Sequence, residues 1–277
     1  MTRSVTVQGI QVPAFIYGTA WKEERTAKLV SLALEAGFGA IDTANQRRHY
    51  VEAAVGDAVA AANVPREKLF LQTKFTSVDG QDHRLPYDPT ASVAVQVRQS
   101  CESSLEHLRT TFLDSYVLHG PSGPRGLAET DVHVWRAMEE LQRAGKTRLL
   151  GVSNVSLDQL TALHQLAEIK PAFVQNRCFA RDGWNRNVRT FCRANDIAYQ
   201  GFSLLTANAR EIARPPIDRI VQRTGRSHAQ VVFRFAMQAG MIPLTGTTSP
   251  EHMRDDLASF DFELTAAEVD AVERIGS

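Results

Sequence analysis

The chain has 277 residues, of which 43% are hydrophobic and 22% charged, and its 31 basic side chains are balanced by 31 acidic ones. These proportions are typical of a soluble globular protein, and a net charge of zero argues against a nucleic-acid-binding surface, which requires a clustered basic face. No apolar run approaches the roughly 18 to 20 residues that cross a bilayer, and the first residues lack the pattern of a signal peptide. We therefore expect a cytoplasmic protein with no nucleic-acid, membrane or obligate protein partner.

Short β-rich runs alternate with helical patterns along the chain. Residues 4–15 alternate around a central Gly9 and predict a β-hairpin. Eight runs follow: FIYGTA (15–20), AIDTA (40–44), LFLQTKF (69–75), LDSYVLHG (113–120), RLLGVSN (148–154), FVQNRC (173–178), AYQGFSL (198–204) and MIPLTG (241–246). Two helices, near 214–224 and 227–239, are predicted between the last two runs. Because this alternation signals βα units on a parallel sheet, we predict an α/β protein, a (β/α)8 TIM barrel with a short N-terminal β-hairpin, as one domain over residues 1–277.

Polar side chains stand at the ends of the apolar runs. In a barrel of this kind the chemistry is carried by the carboxyl ends of the strands and the loops that follow them. The residues found there are Asp42, Lys74, His119, Ser153, Asn154, Gln175 and Ser203. Different strand ends thus offer an acid, a lysine, a histidine and a Ser-Asn pair to one mouth.

Two other chemistries common on such barrels are disfavoured. The eight histidines show no H-x-H or H-E-x-x-H spacing, and the three cysteines show no C-x-x-C pair, so we expect no metal site. A glycosidase needs two carboxylates flanking its site. Asp42 is the only acid squarely at a strand end, since Asp114 opens its strand.

Five motifs in barrel order carry a family resemblance. GFGAIDTA, LFLQTKF, SYVLHGP, GVSNVSLDQL and QGFSLL together resemble the aldo-keto reductase family. The resemblance implies a barrel that binds a nicotinamide cofactor without a Rossmann domain, and the chain has no G-x-G-x-x-G motif. It also implies hydride transfer to the carbonyl carbon of a small aldehyde or ketone, that is, an NAD(P)H-dependent carbonyl reductase.

In the mechanism that the resemblance implies, a tyrosine hydroxyl protonates the developing alkoxide. A phenol with a pKa near 10 needs a nearby cation for this task, and Lys74 is the residue that matches. Asp42 would pair with Lys74, and His119 would hold the substrate oxygen. A variant Lys74→Met is expected to lose reduction while largely keeping the fold, because a lysine at a strand end is not a core residue.

The position of the tyrosine departs from the family pattern. The family commonly reads D-T-A-x-x-Y-x-N-E-x-x-V-G, whereas DTANQRRHYVEAAVG is two residues longer between Asp42 and Gly56. Counting back from Glu52 places His49 in the tyrosine's position, with Tyr50 one residue later. We predict Tyr50 as the proton donor, because the chemistry uses a phenol and a longer loop can shift by one residue. One alternative is that His49 is the proton donor. The other is that Tyr50 begins the next helix and packs against the barrel.

The cofactor contacts implied by the resemblance follow residue by residue. Ser153, Asn154 and Gln175 match the family's carboxamide-binding residues, and their side chains supply donors and acceptors. Phe202 replaces the family's stacking tyrosine and keeps its aromatic face. The remaining matches are Gly18 and Thr19 in the turn beside the pyrophosphate, and Ser203 and Leu205 in the S-x-L pattern.

The segment after the eighth run lacks the family's usual cations. Relatives that prefer NADPH carry Lys and Arg there, suited to the 2′-phosphate, whereas this chain reads LTGTTSPEHMRDDL. His252 replaces the Arg, and Thr247 and Thr248 offer hydroxyl groups. NADP(H) is the family's usual cofactor, and NAD(H) or dual use is the alternative.

Two tryptophans are candidates for the substrate wall. Trp21 follows the first barrel run, and Trp184 lies in the loop RDGWNRN. Both are suited to an apolar wall for a small-molecule carbonyl substrate, and His49 would lie beside it. Either tryptophan can equally anchor its loop. A different class of function is a nicotinamide-binding sensor with little turnover, which the altered tyrosine loop keeps open.

Overall fold

The first described element is the β-hairpin. The computed structural model describes residues 3–276; residues 1, 2 and 277, at the ends of the predicted domain, lie outside the described residues. β1 (Ser4–Val7) pairs antiparallel with β2 (Ile10–Pro13). Gln8 and Gly9 between them have φ of 46° and 80°, and two successive positive φ values define the type I′ turn that matches the twist of hairpin strands. The predicted hairpin is confirmed.

Eight parallel strands close into a barrel, as predicted from the eight runs. They are β3 (Ile16–Gly18), β4 (Ala40–Asp42), β5 (Phe70–Phe75), β6 (Leu113–Leu118), β7 (Thr147–Ser153), β8 (Phe173–Arg177), β9 (Ala198–Phe202) and β10 (Met241–Thr245). Each pairs with the next along the chain, and β10 pairs with β3 to close the ring. The carboxyl ends of these strands therefore meet at one rim.

Helices surround the barrel. They are α1 (Thr26–Ala36), α2 (Glu52–Ala61), α3 (Val93–His107), α4 (Glu129–Arg143), α5 (Leu157–Leu166), α6 (Arg186–Ala194), α7 (Ala209–Ile212), α8 (Pro215–Thr224), α9 (His228–Gln238), α10 (Pro250–Leu257) and α11 (Ala266–Glu273). The two helices expected before the last strand are α8 and α9. Ser227 caps α9 by accepting a hydrogen bond from Gln230 N–H, as the Ser-x-x-Gln sequence favours. Between residues 3 and 276, no helix is both long enough and apolar enough to span a lipid bilayer.

The barrel interior changes from apolar to polar along its axis. At the amino ends of the strands, Phe70 and Phe173 meet edge to face, with ring centroids 5.9 Å apart. They pack in one buried cluster with Val7 and Val12 of the hairpin, so the hairpin closes this end. Successive inward side chains then become polar, because alternation along β5 follows Phe70 with Gln72 and Lys74.

Candidate active site

A cavity of about 700 Å³ opens at the carboxyl ends of the strands, within the size range of small-molecule sites. Most of the predicted site residues line it. They are Gly18, Trp21, Asp42, His49, Tyr50, His119, Ser153, Asn154, Gln175, Phe202, Ser203, Leu205, Thr247 and His252. The structure thus brings residues from seven loops and strand ends to one space.

Lys74 and Asp42 form an ion pair beneath this cavity. Lys74 Nζ lies 2.6 Å from Asp42 Oδ2 and 2.7 Å from Oδ1, and it donates to the carbonyl of Thr43 at 2.8 Å. Both side chains are buried. Burial lowers the pKa of Lys74, and the Asp42 carboxylate opposes this shift. The pairing holds the ammonium in one orientation.

Tyr50 lies beside this ion pair. Lys74 Nζ lies 5.4 Å from the centroid of the Tyr50 ring, and the Tyr50 and His119 ring centroids are 6.1 Å apart. His49 instead stacks on Trp21, with centroids 3.8 Å apart, and its carbonyl accepts a hydrogen bond of 2.8 Å from Trp21 N–H. The longer loop therefore brings the Tyr50 ring beside Lys74 and holds the His49 ring against Trp21.

A buried cluster holds this loop, and only the Glu of the motif could have indicated it from the sequence. Glu52, the first residue of α2, is buried and accepts hydrogen bonds from Thr73 Oγ1 and from His107 Nδ1, the latter at 2.9 Å. His107 Nε2 in turn contacts Arg47 Nη2 at 3.2 Å. Gly56 lets α2 pack closely, since a Cβ there would lie 1.9 Å from the His107 carbonyl oxygen. The start of α2 is thus tied to β5 and α3, directly after Tyr50.

His119 is held by Thr76. The Thr76 hydroxyl lies 2.7 Å from His119 Nδ1, which leaves Nε2 as the ring nitrogen available to the cavity. Burial lowers the pKa of His119 to about 3, with a further contribution from the Lys74 charge. The imidazole is therefore neutral at physiological pH.

Ser153, Asn154 and Gln175 are connected by hydrogen bonds at the carboxyl ends of β7 and β8. Ser153 Oγ donates to the Gln175 carbonyl at 2.7 Å, and Asn154 Nδ2 donates to the His119 carbonyl at 2.8 Å. Gln175 Nε2 donates to Asp42 Oδ1 at 3.1 Å and to Gln200 Oε1 at 2.9 Å. Among residues 3–276, no hydrogen bond reaches Gln175 Oε1 or Asn154 Oδ1, so both remain acceptors for a ligand amide.

Two further glutamines, which sequence reasoning did not single out, complete this layer. Gln72 Nε2 donates to Asp42 Oδ1 at 2.7 Å and to Gln200 Oε1 at 2.8 Å. Both glutamines are wholly buried. Their inward position follows from strand alternation, but no motif marks them as partners of Asp42.

A glycine floor and one buried cation lie between β3 and β10. A Cβ on Gly246 would lie 3.3 Å from Lys22 Nζ and 3.5 Å from the Gly18 carbonyl oxygen. Glycine at this position therefore leaves the backbone free of a side chain here. Lys22 is buried and donates to the Gly246 carbonyl. In the part of the chain that the structure describes, no acidic side chain pairs with Lys22, and burial lowers its pKa. Sequence reasoning missed this residue.

The end of the cavity formed by α10 is acidic. Asp256 is buried and accepts a hydrogen bond from Thr245 Oγ1 at 2.7 Å. Burial raises the pKa of Asp256 to about 7; Thr245 and His252 oppose this shift, and the Asp255 charge adds to it. Asp255, Asp256 and His252 all line the cavity.

Besides Lys74, three predicted site residues lie outside the cavity lining. Trp184 does not reach the cavity: it is wholly buried, its Nε1 donates to the Val272 carbonyl at 2.8 Å, and its ring lies 5.2 Å from Phe235. It anchors its loop because an indole is most stable with the ring buried and the N–H paired. Thr19 is wholly buried, and its hydroxyl donates to the Asp42 carbonyl at 2.9 Å. Thr248 is exposed and lies outside the lining.

Comparisons with known proteins show which family the chain belongs to. The sequence model of the Aldo/keto reductase family matches residues 14–277. An aldo-keto reductase of Mycobacterium avium is 32% identical over 251 residues, covering 91% of this chain and 81% of the relative. The NADPH-dependent alpha-keto amide reductase of Saccharomyces cerevisiae is 26% identical over 297 residues, covering 97% and 88%.

A solved structure shares the fold over almost its whole length. The crystal structure of an aldo/keto reductase from Brucella melitensis superposes with a TM-score of 0.85 at 25% identity, covering 99% of this chain and 100% of that one. The barrel and the rim site therefore define a (β/α)8-barrel oxidoreductase. The protein belongs to the aldo/keto reductase family, and the family resemblance inferred from its motifs is confirmed.

Proposed function

We propose that the protein is an NAD(P)H-dependent carbonyl reductase that acts on small aldehydes or ketones. The observation that carries this proposal is the convergence of Tyr50, Lys74 and His119 at the floor of the rim cavity. The Lys74 ammonium lies 5.4 Å from the Tyr50 ring, and the His119 ring lies 6.1 Å from it. A phenol, a cation and a neutral imidazole around one space are suited to protonating an alkoxide.

The residues present fit a nicotinamide cofactor. The acceptors Asn154 Oδ1 and Gln175 Oε1 suit the amino group of a carboxamide, and Phe202 presents an aromatic face beside them. The floor of Gly18 and Gly246, with the Lys22 ammonium buried next to it, suits a diphosphate. The bound cofactor would supply the hydride.

Tyr50 would be the proton donor. Burial and the Asp42 charge raise the pKa of its phenol, so the hydroxyl stays protonated until a stronger base forms beside it. The alkoxide produced by hydride addition is such a base. Lys74 would stabilise the negative charge that the phenol then acquires, and Asp42 keeps that ammonium in place at 2.6 Å.

His119 would orient the substrate. Because its pKa is lowered to about 3, the ring is neutral, and its Nε2 faces the cavity to hydrogen-bond the carbonyl oxygen. A neutral ring avoids placing a second cation beside Lys74 in a buried site.

Both NADPH and NADH are proposed as cofactors. The yeast relative is NADPH-dependent by name. The α10 end of this cavity, however, is lined by Asp255, Asp256 and His252, and carboxylates disfavour a 2′-phosphate. Binding of both cofactors in the micromolar range would support this part of the proposal.

The experiment compares oxidation of NADPH and NADH by the wild-type protein, Tyr50→Phe and Tyr116→Phe with a panel of aldehydes. We expect Tyr50→Phe to lose at least about a hundredfold in kcat. Tyr116→Phe is the matched control, since the Tyr116 side chain is buried in β6 and does not line the cavity. Equal turnover by Tyr50→Phe and the wild type would refute the role of Tyr50. Cofactor binding without any turnover would favour the sensor function.

A further inference from the structure

The cavity carries a cation that the proposed reaction does not use. Arg177, the last residue of β8, lines the cavity and is exposed. Its guanidinium lies 5.6 Å from the centroid of the Phe202 ring, a distance typical of a cation–π contact. Among residues 3–276, no acidic side chain forms an ion pair with it. An arginine at a cavity wall with no protein anion is available to a ligand anion.

The strand register places Arg177 above the catalytic floor. Side chains two residues apart on a strand point to the same side. Arg177 therefore lies on the same side of β8 as Gln175, with its backbone roughly 7 Å closer to the mouth of the cavity. Gln175 contacts the Asp42 carboxylate at 3.1 Å, and Arg177 pairs in register with Phe202. A small ligand that touches the floor of the cavity is therefore within reach of the guanidinium.

The local charge favours an anion there. The Asp42 carboxylate is neutralised by Lys74, and His119 is uncharged at physiological pH. The acidic lining residues, Asp255 and Asp256, follow β10, two strands away from β8 in the barrel. Arg177 thus gives the catalytic end of the cavity a positive charge.

We propose that Arg177 binds a carboxylate on the substrate, so that the preferred substrates are aldehydes or ketones that carry a carboxylate a short distance from the carbonyl. This inference rests on the proposed carbonyl-reductase function. A guanidinium pairs with a carboxylate through two parallel hydrogen bonds, which fixes the direction of the substrate as well as its affinity. Trp21, which is 66% exposed and stacked on His49, supplies an apolar wall for the part of the substrate between the two polar groups.

The same chemistry would suit a phosphate of the cofactor, and the experiment separates the two sources. The substrates are 4-carboxybenzaldehyde and methyl 4-formylbenzoate, which have similar size and differ in charge. The proteins are the wild type, Arg177→Gln, Arg177→Lys and the control Arg181→Gln, whose arginine lies outside the cavity lining. The dissociation constants of NADPH and NADH are measured by the fluorescence of the bound cofactor.

We expect Arg177→Gln to lower kcat/KM for the carboxylated aldehyde by roughly ten- to a hundredfold and that for the ester by less than about threefold. Arg177→Lys is expected to keep part of the preference, since the charge remains without the two-pronged geometry. Cofactor affinity and thermal stability are expected to stay within error of the wild type, and Arg181→Gln is expected to change none of these quantities.

Three results would overturn the proposal. Equal turnover of acid and ester by the wild type, or an equal fall for both in Arg177→Gln, would refute carboxylate recognition while leaving the reductase function intact. Weaker cofactor binding in Arg177→Gln with an unchanged substrate preference would assign the arginine to a cofactor phosphate. Failure of the wild type to reduce either aldehyde would refute the reductase function and this inference with it.

Discussion

Gln72 and Gln200 exchange two hydrogen bonds, of 2.8 and 3.0 Å, across the barrel interior. The second N–H of Gln72 donates to Asp42 at 2.7 Å, and Gln200 Oε1 also accepts from Gln175 at 2.9 Å. The pair therefore joins the carboxylate that holds Lys74 to an amide proposed to face the cofactor. A connected layer of hydrogen bonds of this kind fixes side-chain orientation because each member is constrained by its neighbours.

Replacing both glutamines is expected to cost less stability than the sum of the two single replacements. Gln72→Leu leaves a buried N–H of Gln200 unpaired, which costs about 1 to 3 kcal/mol. The double variant with Gln200→Leu is expected to be more stable than the sum of the single changes, by about 1 kcal/mol or more. Urea denaturation of the four proteins measures this coupling, and simple additivity would contradict it.

Lys74→Met is expected to lose stability as well as activity. Lys74 is 1% exposed and paired with a buried carboxylate, so the expectation from the sequence that it is not a core residue is corrected. Removing one partner leaves an uncompensated buried charge, at a cost of about 3 to 5 kcal/mol. Adding Asp42→Asn to this variant is expected to restore much of the stability but none of the turnover. Denaturation midpoints and NADPH oxidation test the two effects separately.

Asp256 is expected to make stability and cofactor preference pH-dependent. Its pKa is raised to about 7 from an ordinary value of 3.8. In the folded state Asp256 thus retains a proton that the unfolded state has lost above about pH 4. Its contribution to the free energy of unfolding is fully present below pH 4 and decreases by up to about 4 kcal/mol as the pH rises toward 7. Asp256→Asn is expected to remove this pH-dependent decrease in stability. The affinity for NADPH is expected to fall relative to that for NADH between pH 6 and 8 in the wild type, and to fall less in the variant.

Substitution of Trp184 is expected to lower stability, whereas substitution of Trp21 is expected to weaken substrate binding. Trp184→Ala removes a wholly buried ring and its hydrogen bond to Val272, with an expected loss of about 3 to 5 kcal/mol of stability. Trp21→Ala removes a ring that is 66% exposed; it is expected to leave the melting temperature nearly unchanged and to raise KM for aromatic aldehydes. A large rise in KM with little loss of stability in Trp184→Ala would contradict the placement of Trp184.

Much of the fold follows from local pattern. Eight apolar runs with helical segments between them predict the barrel, and the boundaries agree within a few residues: the run 241–246 is β10, Met241–Thr245. The hairpin follows from the central Gln8-Gly9 turn. Strand alternation also places Asp42 and Lys74 on the inner side, because their position depends only on the period of the strand.

The barrel, its carboxyl-terminal rim and the polar residues at the strand ends could thus be predicted from the sequence, since each of these depends on neighbours a few residues away. The placement of the Tyr50 ring beside Lys74 and of the His49 ring against Trp21 follows only from the tertiary structure. The course of the longer loop is set by Glu52, Thr73 and His107, which come from three separate segments. The burial of Lys74 and Trp184 is likewise seen only in the tertiary structure. The contact of Gln72 with Gln200, 128 residues away, exists only once the barrel has closed, and no local pattern specifies it.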